Sequence, residues 1–538
     1  MEFSPIKIIK QNIVIIKWVN TVKVLLLYPL FPKTFWSYDR FMEVAGLKAL
    51  IPPLGIITIA SLLPQDWEIR FFDRNVGMER ENDWAWCDLV ILSAMMVQKK
   101  DFHYLIRKAV DMGKKVAVGG PYPTSLPHEA LDSGADYLIL DEGEITILQF
   151  LEAIATGQEK GIFRATEKPD VTLSPMPRFD LLKRDDYLMM SIQFSRGCPF
   201  NCEFCDIISL YGRKPRTKSV VQVLSELQYL YDLGWRRSVF IVDDNFIGNQ
   251  RNVKQLLRSL IPWMQKRNYP FTFLTEASVN LAEDSELLEL MTQAGFFGVF
   301  LGIETPDQDS LEVTSKYQNT RNPLAESCRK INQAGLMIYA GFIMGFDGER
   351  AGAGKRIQSF VEQTSIPQPM LGILQALPNT ALWNRLKQEQ RLIEDKGVVE
   401  YGDQNTLMNF VPTRPISEIA YEYLDALWQM YEPTSYLKRC FQQCLNITPN
   451  PNSQQQIYFP IDKMLRIVAQ LIWKQGLLMP DIRQQFWQQF WIMLKTRPQF
   501  LSLYLGLCAL GEHFWEYRQL AKERIIHQLG YDPLTTRL

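Results

Sequence analysis

Cys198, Cys202 and Cys205 stand in the run Ser195-Arg-Gly-Cys198-Pro-Phe-Asn-Cys202-Glu-Phe-Cys205, a CxxxCxxC spacing that puts three thiols on one short segment. Cysteine thiolates hold iron–sulfur clusters, ordinarily four to a cubane, so three would leave one iron without a protein ligand and open to a small molecule. Gly197 and Pro199 beside the first cysteine suit a loop that wraps. The rival readings are a zinc knuckle and cysteines buried for packing. Zinc sites bring paired CxxC arms or nearby histidines. The four histidines here, His103, His128, His513 and His527, are distant in sequence. The spacing points to a cluster cradle.

Such a loop needs rigid supports. Downstream, apolar runs alternate with amphipathic helical runs, the pattern of a partial (β/α) barrel. Strands are expected at 189–194, 238–242, 271–275, 298–303, 337–343 and 371–376. Parallel barrels place their chemistry at the carboxyl ends of strands, and these ends carry Asp243 and Asp244, Glu276, Glu304, and Gly341 and Gly345. Asp, Glu and Gly are also ordinary turn and cap residues. Their shared position relative to the cysteines favours a site.

CxxxCxxC with an aromatic, Phe204, before the last cysteine resembles the radical S-adenosylmethionine enzymes. The resemblance implies six βα units and a [4Fe-4S] cluster on Cys198, Cys202 and Cys205, with the open iron binding S-adenosylmethionine. It also implies reductive cleavage to methionine and a 5′-deoxyadenosyl radical. Phe204, Asp243, Asp244, Glu276, Glu304, Gly341 and Gly345 then become the expected S-adenosylmethionine residues. Carboxylates would accept hydrogen bonds from the methionine ammonium or the ribose, and glycines would let the backbone approach the adenine. Asp243-Asp244-Asn245 occupies the place of the family's amino-group motif without its usual Gly-Gly-Glu letters.

Ahead of the cysteines, strands expected at 22–28, 68–73, 89–93, 115–118 and 137–140 alternate with helices, which predicts a doubly wound, Rossmann-like sheet with any ligand at its carboxyl edge. That region resembles the cobalamin-binding domain found before many radical S-adenosylmethionine cores. Ser93, Gly119, Gly120, Thr124, Ser125 and Glu142 are its expected cobalamin residues. The loop from Pro29 to Asp39 has no histidine, and Asp101-Phe-His103 follows the wrong strand for the DxHxxG axial-ligand motif. Cobalamin is therefore expected base-off, without histidine ligation, and His103 as an ordinary helix residue.

At ~150 residues per domain, 538 residues suggest about three domains, and a net charge of −1 gives no reason to expect a nucleic-acid partner. The absence of a disulfide framework fits a reducing cytosol. The expected division is an extension at 1–20, a cobalamin-binding unit at 21–160, a linker at 161–188, a barrel at 189–400 and a mostly helical unit at 401–538. The first twenty residues read as an amphipathic segment or a loose tail. The helical unit is rich in tryptophan and leucine, with Phe500 to Leu510 nearly all apolar. That stripe suits a core-facing helix, or contact with a greasy substrate or the bilayer surface.

Segments such as Asp244-Asn-Phe-Ile-Gly-Asn249 and Leu374-Gln-Ala-Leu-Pro-Asn-Thr380 are similar to the cobalamin-dependent radical enzymes with a C-terminal helical domain, a subgroup that includes the hopanoid C-2 methylase. The resemblance implies methyl transfer to an unactivated carbon of a lipid-like or natural-product substrate, a hopanoid at C-2 being one such. It also implies an external electron donor such as a flavodoxin or ferredoxin, and a cytoplasmic enzyme with peripheral contact at the inner membrane face. Two alternatives stay open: a cyclase or ring-rearranging enzyme without methyl transfer, and a cluster-bearing sensor without turnover.

Overall fold

The computed structural model of the chain describes residues 21–393, 405–450, 452 and 461–535. The expected N-terminal extension lies outside the described residues.

The first sheet contains β1 (Lys23–Tyr28), β2 (Glu68–Asp73), β3 (Leu89–Ser93), β4 (Lys115–Gly119), β5 (Tyr137–Ile139) and β6 (Gly161–Phe163), in the order β2-β1-β3-β4-β5-β6. Every pairing is parallel. A parallel sheet must be covered on both faces, and the side-chain alternation provides for this. Leu25, Leu27, Val90 and Val118 pack with Phe102 and Leu105 of the helix Lys99–Asp111. Val24, Leu26, Ile91 and Ala117 face the opposite core, with Ile56 and Ile57 of the helix Leu54–Ala60. The sixth strand corrects the expected linker: Leu140 N–H bonds to Phe163 O at 3.0 Å, tying residues 161–163 to the sheet edge. Three residues with Ile162 exposed leave no apolar run to detect.

The second sheet is also parallel. β7 (Met190–Ile192) leads to the small antiparallel pair β8 (Ser195–Arg196) and β9 (Arg216–Thr217). Next come β10 (Val239–Ile241), β11 (Phe273–Ala277), β12 (Phe296–Glu304), β13 (Met337–Met344) and β14 (Gln368–Ile373). The order β14-β13-β12-β11-β10-β7 follows the chain, with β7 and β14 as free edges, so the barrel is open. Three of its helices begin on side-chain caps: Ser219 with Gln222, Asn249 and Asp284 each accept from an amide of the following turn.

The third part is helical: Ile416–Met430, Pro433–Asn446, Ile461–Leu471, a π-helical turn Ile472–Leu478, Pro480–Thr496 and Leu501–Leu529. The apolar run 500–510 is the start of the last of these. Cys440, Cys444 and Cys508 are buried free thiols within its packing. Among the described residues no helix is long and apolar enough to cross a membrane.

One loop joins all three parts. Between β1 and the helix Asp39–Ala45, Trp36 donates to Met370 Sδ (3.2 Å) and Tyr38 to Gln368 Oε1 (2.7 Å), both on β14. Phe35 packs against Phe514 of the last helix (ring centroids 4.8 Å apart), and His513 Nε2 bonds to Phe35 O at 2.9 Å.

Candidate functional site

The cysteine loop leaves β8 and is anchored by the carboxylates that end β10. Asp243 accepts from the amides of Phe194 (2.7 Å) and Ser195 (2.8 Å) and from the Ser195 hydroxyl (2.6 Å). Asp244 accepts from Gly197 N–H at 2.9 Å. Gly197 has φ +90°, and a Cβ there would lie 2.8 Å from Gly212 O, so only glycine lets the loop fold back on the turn before β9. Cys198 N–H then bonds to Gly212 O at 3.2 Å.

All three thiols are free, and they influence one another. Burial, with the neighbouring thiols adding to it, pushes Cys198 and Cys205 above the ordinary cysteine range. Donors surround them. Gln318 Nε2 lies 3.5 Å from Cys202 Sγ, and Asn245 Nδ2 lies 3.9 Å from Cys198 Sγ. Lys316, paired with Glu304, is pushed upward by that carboxylate and by Cys202 and Cys205, against the effect of burial. Among the described residues no three His, Cys, Asp or Glu side chains close on a single metal ion. Three soft ligands, mutually coupled and ringed by donors and a cation, fit a multi-iron cluster, whose sulfurs accept such bonds.

A cavity of about 1850 Å³ runs from the carboxyl edge of the first sheet along the inside of the second, from Asp244 and Glu276 past Leu274 and Tyr339 to Thr272, Met337 and Gln368 at the amino ends of its strands, where the C-terminal helices meet it. Single small-ligand pockets run to roughly 300–1,000 Å³, so this one has room for more than one bound group. Ser93, Gly119, Gly120 and Glu142 reach it from the first sheet, Asp244 and Glu276 from the second. Met464, Ile467, Val468, Leu503 and Leu510 form its third wall. Burial, reinforced by Asp244 and Asp243, pushes the Glu276 carboxyl up to about 8. Asp244 is pushed up to about 6, chiefly by burial.

Several expected residues are engaged elsewhere. Asp243 is turned to the loop and spent on three hydrogen bonds, so it positions the cysteines and does not face the cavity. Glu304, at φ +65°, is bound to Lys316. Gly341 packs on Phe300, where a Cβ would meet Cζ at 3.0 Å, and Phe204 packs on Phe346. Gly345 has φ +96°, and its amide donates to Glu349 at 3.0 Å. Phe204, Glu304, Gly341 and Gly345 therefore lie outside the wall of the cavity. Thr124 Oγ1 accepts from Asp141 N–H (2.9 Å) and closes the loop after β5, while the Ser125 carbonyl accepts from Asn379. The Gly120 position is set by protein packing, since a Cβ would lie 2.6 Å from Ser93 Oγ. His103 is engaged by Ser133 (2.6 Å) and Tyr122 (2.7 Å) within its helix's surroundings, as an ordinary helix residue should be.

Glu142, which lines the cavity, is also held in ion pairs. It accepts from Arg196 (2.9 Å) and Arg216 (2.7 Å), while Arg196 also donates to Glu144 (2.8 Å). Two carboxylates after β5 thus clamp the two arginines of the β8–β9 pair. Burial opposes the charge on Glu144, but Arg196 outweighs it and holds that carboxyl down at about 2. Arg196, Arg216, Gln318 and Lys316 carry no motif of their own. Only the nearness of Arg196 to Cys198 hinted at a role.

Three family models match the chain: the B12 binding domain at residues 44–151, the Radical SAM superfamily at 192–353 and a domain of unknown function, DUF4070, at 380–527. An uncharacterized methyltransferase of Synechocystis sp. (strain PCC 6803) is 55% identical over 509 residues, 94% of each chain. The hopanoid C-2 methylase of Rhodopseudomonas palustris (strain TIE-1) is 33% identical over 475 residues, 87% of this chain and 88% of that one. The chain belongs to the cobalamin-dependent radical S-adenosylmethionine methyltransferases.

Solved structures share the fold of this methyltransferase. The cobalamin-dependent S-adenosylmethionine radical enzyme OxsB with aqua-cobalamin bound matches with TM-score 0.59 at 16% identity, covering 96% of this chain and 83% of that one. The radical S-adenosylmethionine methyltransferase TsrM from Kitasatospora setae, with cobalamin and a [4Fe-4S] cluster bound, also gives 0.59, at 14% identity, covering 92% and 99%. A methyltransferase of this family works with a [4Fe-4S] cluster, S-adenosylmethionine and cobalamin.

Proposed function

We propose that this methyltransferase acts on an unactivated carbon of a lipid-like substrate, with a hopanoid at C-2 as the first candidate. The observation that carries the reading is the apolar third wall of the cavity. Met464, Ile467, Val468, Leu503 and Leu510 face a space that also reaches Ser93, Gly120, Asp244 and Glu276. The 33% identity to a hopanoid C-2 methylase supports the same substrate class.

When bound, the cofactors supply a carbon-centred radical and a methyl donor, and the protein positions them. In the proposal Cys198, Cys202 and Cys205 hold the cluster, and Asp243 and Asp244 fix the loop that presents it. Asp244 and Glu276 would accept hydrogen bonds from the ammonium and ribose hydroxyls of S-adenosylmethionine. Ser93, Gly119 and Gly120 would border cobalamin, and His103, committed to Ser133 and Tyr122, would not be its ligand. The apolar wall excludes water from the substrate radical. Overall a C–H bond becomes C–CH3. One S-adenosylmethionine gives its methyl group and leaves as S-adenosylhomocysteine. A second takes up the substrate hydrogen and leaves as methionine and 5′-deoxyadenosine. Two electrons come from an external donor of the flavodoxin or ferredoxin type. The enzyme would work in the cytoplasm, against the inner membrane face.

Incubation of the reconstituted protein with a hopanoid, S-adenosylmethionine and a low-potential reductant tests this. The expected result is S-adenosylhomocysteine, 5′-deoxyadenosine and a substrate heavier by one methylene. A substrate recovered unchanged, with turnover on a small polar acceptor instead, would sink the lipid reading.

A further inference from the structure

The helices that wall the cavity also carry a dense exposed apolar surface. Trp473, Leu477 and Leu478 of the π-helical turn are 58%, 50% and 59% exposed, and Leu465 is 60% exposed. On the helix Pro480–Thr496 the buried face is Ile482, Phe486, Gln489 and Met493, and Trp491 falls opposite it. Exposed apolar side chains scattered singly are ordinary. Here they are gathered on consecutive elements that are held in place: Trp487 donates to Gly476 O at 2.9 Å, and Gln475 to Cys508 O at 2.8 Å.

The same segment carries an excess of positive charge. Residues 461–497 hold six lysines and arginines against two aspartates, in a chain whose net charge is −1. Arg466, Arg483 and Lys495 are exposed among the apolar side chains. Tryptophan and leucine interleaved with basic residues are the composition of a surface that sits in a bilayer interface. Each basic residue near an anionic membrane adds a factor of about five to binding. Met464 connects this surface to the cavity: it is 48% exposed and lines the cavity wall, with Ile467 and Val468 on the same wall.

We propose that the surface from Met464 to Leu494 seats the enzyme on an anionic bilayer, and that the substrate enters the cavity from the bilayer past Met464. The entry path rests on the lipid reading above; the docking surface rests on its own residues. The test is co-sedimentation of the full-length holoenzyme with phosphatidylglycerol–phosphatidylcholine vesicles and with phosphatidylcholine vesicles alone, without substrate. Wild type should sediment with the anionic vesicles and be released by salt. A Trp473→Ser, Leu478→Ser, Trp491→Ser variant should bind at least tenfold more weakly. An Arg466→Gln, Lys495→Gln variant, which leaves the apolar contacts untouched, should lose more than tenfold on anionic vesicles only. Thermal unfolding of each variant checks that it is folded.

Wild type left in the supernatant, or triple-variant binding equal to wild type, would overturn the docking surface. So would a lipid-free dimer that the triple variant dissolves, since the patch would then belong to a second copy. Lipid methylation without vesicle binding refutes docking and leaves the lipid reading intact; vesicle binding without lipid turnover does the reverse.

Discussion

Arg196→Met tests the clamp between the first sheet and the cysteine loop. Arg196 and Glu144 have 13% and 5% of their side chains exposed, so removing the guanidinium strands a buried carboxylate. Glu144 is held at about 2 against an ordinary 4.5, which at about 1.4 kcal/mol per unit is worth about 3 kcal/mol. Breaking a buried ion pair by removing one partner costs about 3–5 kcal/mol, so the two routes agree. Because the folded-state value is depressed, this stabilisation is complete above pH ~4.5 and is lost as pH falls towards 2. Between pH 6 and 8 the effect of the substitution should therefore not depend on pH. The assay is native-state hydrogen exchange of the amides in residues 193–217, with β12 as internal reference. A local loss of about 3 kcal/mol corresponds to roughly a hundredfold faster exchange. Adding Glu144→Leu should restore most of the protection, because no unpaired charge then remains at that position. Acceleration below fivefold, or equal acceleration in β12, would refute the clamp.

Three further outcomes are expected. Cys202→Ala should abolish iron retention and 5′-deoxyadenosine formation, by iron analysis and product chromatography; retained cleavage would remove the cluster from this loop. Glu276→Gln should stabilise the cofactor-free protein in thermal unfolding. A carboxyl raised to about 8 carries a penalty that grows as pH climbs from 4.5 to 8, so the gain should be larger at pH 8 than at pH 6. The same variant should bind S-adenosylmethionine more weakly by calorimetry. Gln318→Leu removes the 3.5 Å donor to Cys202 and should lower the cluster's reduction potential, read by a spectroscopically monitored titration, with iron content unchanged.

Most strands of both sheets were legible because they are apolar runs bounded by turn residues. β6 was hidden by its length, and the helices Asp39–Ala45 and Glu81–Trp86 by theirs. The cysteine triad was legible from spacing, and Asp244 and Glu276 from their place at strand ends. Asp243 shows the limit of that reasoning: one residue earlier on the same turn, its carboxylate goes to the backbone of Phe194 and Ser195. Glu142 shows another limit. Its partners Arg196 and Arg216 lie 54 and 74 positions away, and no local pattern announces a pairing across that distance.

The loop around Phe35 bears on how the enzyme is made. Phe35 follows β1, and His513 and Phe514, which grip it, lie 478 and more positions later. At roughly 5–20 residues per second, the strands from β1 to β14 would be complete for roughly 8–30 seconds before the helix Leu501–Leu529 has been synthesised. During that interval the cavity lacks its third wall. The last helix, which supplies Leu503 and Leu510 to the cavity wall, can dock on Phe35 only after every strand of both sheets has been made.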